Sequence, residues 1–250
     1  MALKVRWSHW ISGALGVAFG ALAYAYLTLP DVRTLATANP ETTAFIELRR
    51  DEAHDQGKSF TLRRRWVPYG RISQHLKRAV IVAEDSAFFE HDGLDYAQIR
   101  ESLEATLEDG VPMRGASTIT QQLAKNLYLS PSRNPTRKLR ELIITRRLES
   151  ALTKRRILEI YLNSIEWGDG IFGCEAAARA YFGKSAADLS PAEAALMAGA
   201  IINPRVHSPA RPTRRLLRRQ QIILRRMGVV QPPPESPAAA TAGPSDVPPS

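Results

Sequence analysis

The sequence predicts a mainly α-helical protein behind one membrane-spanning helix. Three observations carry that expectation. Trp7 to Pro30 holds no Asp, Glu, Lys or Arg, and an uncharged helix of that length can cross a hydrocarbon core of roughly 30 Å. From Ile72 to Met227 apolar residues recur at helical spacing, as in Ile72, Leu76, Ala79, Val80 and Ala83. Ser190-Pro191-Ala192-Glu193 sets a cap, a first-turn proline and a capping-box acid in the order that starts a helix.

In chain order, residues 1–30 read as a short cytoplasmic stub and an anchor, with the apolar run at Ile11 to Leu29. Lys4 and Arg6 precede the run and Asp31 follows, which places the N-terminus inside and everything after Pro30 outside. A cleaved signal peptide is the alternative, because Ala21-Leu22-Ala23 and Ala23-Tyr24-Ala25 resemble cleavage sites; the length of the run favours the anchor. Residues 31–65 read as a connector holding a helix over Thr42 to Ala53, and residues 66–230 as the globular domain. There, Tyr96 to Leu107 is helical until Asp109-Gly110-Val111-Pro112 breaks it, and Thr118 to Tyr128 is a helix with Ser117 placed to cap it. Thr136 to Tyr161 is one long helix or two. Gly168, Gly170 and Gly173 make Asn163 to Gly173 a loop, and Glu175 to Phe182 is a short helix. The Ser190 helix runs to about Ile202 and stops at Asn203-Pro204, and Pro212 to Met227 forms a last, basic helix. Residues 231–250 are Pro-rich and too poor in apolar residues to bury a core, so they read as a disordered tail.

The 250 residues carry a formal charge of +9 and an isoelectric point near 10.0, which points to an anionic partner: nucleic acid, an anionic membrane or a phosphorylated substrate. Nucleic acid fits poorly, since the basic residues follow a membrane span and the Arg-rich 205–226 stretch lacks interleaved aromatics. That stretch holds no acid and reads equally as a solvated face or as one drawn to anionic lipid. Cys174 is the single cysteine, no Cys/His cluster has zinc spacing, and neither a P-loop nor a dinucleotide fingerprint occurs.

The chemistry concentrates in two stretches. In Val82 to Asp95 an apolar helix end meets Glu84 and Asp85, followed by Phe88, Phe89, His91 and further acids. Apolar walls beside Glu84 are surroundings that poise a carboxyl for acid–base work, although alone such a stretch is more often a solvated loop or a metal site. In Arg114 to Asn126, helical spacing puts Ser117, Gln121 and Lys125 on one face with Thr118, Gln122 and Asn126 beside them. Such a row could hold sugar hydroxyls and amides with the lysine at an anion; an exposed polar helix is the bland alternative. Lys125, Arg133, Arg137 and Lys138 could together surround a diphosphate, and Glu141, one turn beyond Arg137, could equally be its helix salt bridge.

Five motifs, in order, resemble those of the family 51 peptidoglycan glycosyltransferases. They are Glu84-Asp85-x-x-Phe88-x-x-His91-x-Gly93-x-Asp95; Gly115 to Asn126; Arg137-Lys138-x-x-Glu141; Lys154 through Tyr161-Leu162-Asn163 to Lys184; and Leu189-Ser190-x-x-Glu193 through Asn203-Pro204. Glu166-Trp167-Gly168 with Phe172, and the lack of any Ser-x-x-Lys, are similar to the monofunctional branch. The resemblance implies a lysozyme-like, two-lobed helical domain that polymerises lipid II at the inner membrane, its catalytic domain facing the periplasm. It implies Glu84 as the base that deprotonates the acceptor's 4-hydroxyl and Glu141 as an aid at the donor. Asp85 would support the site, and Lys125, Arg133, Arg137 and Lys138 would meet the leaving diphosphate. Partners implied are lipid II, the growing glycan strand, inner-membrane lipids and other wall-synthesis and division proteins. No cofactor is required, though a divalent metal, magnesium or manganese, could sit on the diphosphate. A lytic glycosidase of the same fold, or a catalytically silent wall-synthesis scaffold, are the alternatives.

Overall fold

A computed structural model describes residues 7–109, 117–129 and 135–228. Its first element, α1 (Trp7–Leu27), is a 21-residue helix without a charged residue, and Trp10, Leu15 and Phe19 stand exposed on it. Among the described residues no helix is long and apolar enough to cross a membrane, so the structure does not itself show the predicted anchor.

The segment expected to be a connector is instead built into the domain. Leu29, Val32 and Leu35 are buried. α2 (Ala44–Asp55) starts where Thr43 Oγ1 accepts the Ile46 N–H at 3.1 Å, and Ile46 is fully buried. From the same helix Arg49 forms a two-pronged pair with Glu166, at 3.0 and 2.8 Å. β1 (Arg63–Arg64) follows.

The central element is α3 (Gln74–Glu84), capped by Ser73. Leu76, Ala79, Val80 and Ile81 are all fully buried, which is the pattern of a helix enclosed on most sides. Even Lys77 is buried, its ammonium 4.1 Å from the centre of the Tyr69 ring. α4 (Tyr96–Asp109) differs: Tyr96, Leu103 and Leu107 stand in solvent. α5 (Ile119–Tyr128) packs on α6 (Pro135–Ala151) and α7 (Lys154–Ser164). Of the one or two helices expected over Thr136 to Tyr161, the fold has two. Thr153 makes the break, its hydroxyl accepting the Arg156 N–H at 3.2 Å as the cap of α7.

The glycine-rich loop prediction needs correction. α7 runs to Ser164, and β2 (Glu166–Gly168) and β3 (Ile171–Phe172) then form a hairpin. β3 also pairs in parallel with β1, Arg63 opposite Ile171, giving a sheet of order β1-β3-β2. Gly170 permits this, with φ of 67° and a backbone that passes so near Thr61 that a Cβ would lie 2.6 Å from its carbonyl oxygen. α8 (Cys174–Phe182) buries Cys174, whose thiol is pushed up to about 12 by burial and is inert. α9 (Pro191–Ala200) carries the predicted Ser190–Glu193 capping box. α10 (Arg214–Arg226) closes the fold, and α9 and α10 both pack against α3.

Candidate active site

Glu84 is the last residue of α3, where a carboxylate meets the unfavourable end of the helix dipole. Its side chain is only 12% exposed. Burial pushes its carboxyl above the usual glutamate range and Asp85 adds to this, whereas Gln122, Arg219 and Lys125 pull it back. Each oxygen has one partner. Oε2 accepts from Gln122 Nε2 at 3.0 Å, and Oε1 faces an Arg219 terminal nitrogen at 3.4 Å. The Tyr161 hydroxyl donates to Gln122 Oε1 at 2.8 Å, which fixes the amide so that its nitrogen points at Glu84. Burial raises the Tyr161 phenol well above its usual range, so it remains a donor.

Asp85 turns the other way. Its Oδ2 accepts the Ile119 N–H, the first of α5, at 2.9 Å, and its Oδ1 lies 2.9 Å from His91 Nε2. The Gly93 N–H donates to His91 Nδ1 at 3.1 Å, so Nε2 is the protonated nitrogen and donates to Asp85. Thr118 Oγ1 donates to the Gly93 carbonyl at 2.7 Å. The loop after Glu84 is thereby bolted to the start of α5, which carries Gln122 and Lys125. Asp85, His91 and Asp95 lie close enough together to hold a cation. However, both Asp85 oxygens and both His91 nitrogens already have partners, Asp85 Oδ2 on α5 and the others within the loop, and Asp95 accepts the Gln98 N–H at 2.8 Å, so a metal would have to break these bonds.

The row of sugar-binding groups expected from Arg114 to Asn126 is shorter in the fold. Thr118, not Ser117, caps α5, in a reciprocal capping box with Gln121. Asn126 spends its amide on the Gln122 carbonyl at 2.9 Å. Thr118, Gln121 and Asn126 are all buried, because a helix start pressed into the core must satisfy its own donors. Ser117 and Gln122 line a cavity of about 460 Å³ with Glu84, Ser86, Gln98, Ile202, Arg219 and Arg226.

The cation cluster is coupled to Glu84 through Lys125. Buried Glu141 on α6 pairs with Lys138 through Oε1 and with Arg137 at 3.6 Å through Oε2. Lys125 reaches towards the same group from α5. Burial lowers its ammonium below the usual lysine range, with Glu141 and Glu84 opposing and Arg137 and Lys138 adding. Arg133 lies outside the described residues. Two residues that shape the base, Tyr161 and Arg219, were not singled out for chemistry by the sequence reading. The tyrosine sits in an ordinary helical apolar pattern, and the arginine is one of eight between residues 205 and 226.

The model of the Transglycosylase family matches residues 50–228. The chain is 49% identical over 204 residues to a biosynthetic peptidoglycan transglycosylase of Azoarcus sp. (strain BH72), covering 81% of this chain and 88% of that one. It is 55% identical over 167 residues to the protein of that name from Aromatoleum aromaticum, covering 67% and 73%. With the one from Thiobacillus denitrificans it shares 44% over 218 residues, covering 87% and 94%. On the matched domain and these relatives together, the chain belongs to the transglycosylase family of peptidoglycan glycosyltransferases.

Proposed function

We infer that this chain is a glycan-chain polymerase of peptidoglycan synthesis that takes lipid II as its acceptor substrate. The observation that carries the reading is that Glu84 lines a cavity with polar side chains and is also in the field of Lys125, which is itself coupled to Arg137, Lys138 and Glu141. A sugar hydroxyl is a poor nucleophile until a positioned base removes its proton. Glu84, which lines the cavity with one oxygen held by Gln122, would take that proton from the acceptor's 4-hydroxyl. The hydroxyl oxygen then bonds to the donor's anomeric carbon as the bond to the diphosphate breaks, with inversion. Lys125, Arg137 and Lys138 meet the charge that grows on the departing undecaprenyl diphosphate, and Glu141 holds two of these cations in place. Among the described residues Glu141 is the carboxylate at this cluster, and both its oxygens face cations. With that carboxylate already facing two cations, these residues do not fit a resident magnesium or manganese ion.

A lytic glycosidase fits less well. An inverting hydrolase needs a second carboxylate free to activate water, and Asp85 is committed to the Ile119 N–H and His91. A lysozyme-like division into two lobes accords with the contrast between the exposed α4 and the enclosed α3, which share a cavity through Gln98 and Glu84. We also assign α1 as the single-pass inner-membrane anchor, with the catalytic domain in the periplasm. In support, its 21 residues carry no charge and rise about 30 Å at ~1.5 Å per residue. The test is purified full chain with lipid II. Glycan strands and released undecaprenyl diphosphate are expected, and clearing of a cell-wall suspension in their place would favour the hydrolase.

A further inference from the structure

We propose that Arg219 of α10 is the positioning residue of the base, holding Glu84 Oε1 towards the cavity while Gln122 holds Oε2. The proposal rests on the reading of Glu84 as the base. α10 places this side chain deliberately. Its inner face is sealed by buried Leu216, Gln220 and Ile223, and Gln220 is pinned to the Ala192 carbonyl at 2.8 Å. Gly199 of α9 lets the helix come close: a Cβ there would stand 3.0 Å from Leu216 Cδ1 and 3.6 Å from Arg219 Cγ. Among the described residues Glu84 is the one carboxylate within salt-bridge reach of Arg219, and the Arg219 Nε is buried with no hydrogen-bond partner. A half-buried guanidinium whose enclosed Nε has no partner, and whose one carboxylate contact is Glu84, is poorly explained as a structural strut.

The physical need is clear from the surroundings. A carboxylate that is buried, at a helix C-terminus and next to Asp85 is drawn towards its protonated form, so a base there needs a neighbour that favours the ionised one. From α5 Gln122 and Lys125 face it, from α7 Tyr161 acts through Gln122, and from α10 Arg219 touches it while Arg226 lines the same cavity. Of these, Arg219 alone combines a permanent charge with direct contact. At 3.4 Å the contact is loose enough for a substrate hydroxyl to share Oε1.

The experiment is the pH–rate profile for glycan-chain formation from lipid II by the full-length protein, comparing Arg219→Gln and Arg219→Lys with the parent. Arg219→Gln should move the acid limb of kcat/KM up by about one pH unit, a roughly tenfold loss below the limb that recovers as pH rises. Arg219→Lys should return the limb most of the way, since it restores a cation at the same place. If Arg219→Gln fails to fold, Arg219→Lys still decides the matter, because the compact ammonium makes a weaker contact and should leave a smaller upward shift. An equal loss at every pH, or a limb unmoved in both variants, overturns the proposal. If Glu84→Gln polymerises normally, the reading of the base has failed; if it is inactive and the limb is unmoved, only the role of Arg219 has.

Discussion

Asp85 offers a sharp separation of architecture from chemistry. Asp85→Ala removes two bonds made by a buried carboxylate, one to the Ile119 N–H and one to His91, both at 2.9 Å. A hydrogen bond to a charged group contributes about 1.5–3 kcal/mol, and a buried N–H left unpaired costs about 1–3 kcal/mol. These overlap in part, so we expect a loss of about 3–4 kcal/mol. For a domain of this size that lowers Tm by roughly 6–16 °C, at about 2–4 °C per kcal/mol. Asp85→Asn keeps an acceptor for one partner but sets an NH₂ against a donor at the other, and should fall between. The assay is thermal unfolding paired with hydrogen exchange at the Ile119 amide, which should lose its protection. A Tm within about 2 °C of the parent for Asp85→Ala, with Ile119 still protected, would refute the view that Asp85 bolts α5 to the catalytic loop.

Other consequences follow from the same geometry. Because the fold raises the affinity of Glu84 for its proton, its contribution to stability is fully present below the unfolded pKa and is lost as pH rises through the higher folded value. Glu84→Gln should therefore be more stable than the parent at neutral pH, and the gap should close on acidification in a series of urea melts. Lys125 is shifted the opposite way, so donor-site binding should fail on the alkaline side at a pH below the ordinary lysine range. Lys125→Arg should carry that limb of the rate profile upward, since a guanidinium keeps its proton. Arg49→Ala leaves Glu166, only 5% exposed, without its partner, and should cost about 3–5 kcal/mol. Adding Glu166→Gln should return part of this in denaturant unfolding.

What the sequence reveals depends on how far apart the cooperating residues are. The Ser190–Glu193 box is local, and its helix starts where the pattern puts it. The Thr118–Gln121 box is equally local, yet adjacent Ser117 offers a competing cap and the surrounding Thr-Gln run imitates a sugar-binding ladder. Only the packing of α5 into the core shows which side chains are committed to capping. The hairpin after α7 is invisible to periodicity, because its strands have three and two residues. Its third strand comes from Arg63–Arg64, about a hundred residues earlier. Glu84, Lys125, Arg137, Lys138 and Glu141 could be named from their motifs. Arg219 could not: nothing local distinguishes it from Arg218, and it meets Glu84 across 135 residues of chain. Nor could the connector be recognised as part of the domain, since Arg49 and Ile46 find their partners only in the folded state.

Whether Glu84 removes the proton from the attacking hydroxyl is tested most directly by single-turnover polymerisation of lipid II by Glu84→Gln. Glutamine can still accept the Gln122 bond and should leave the fold intact, so a folded protein that binds lipid II and forms no glycan strands at any pH is expected. Strand formation at the parent rate would contradict this role for Glu84.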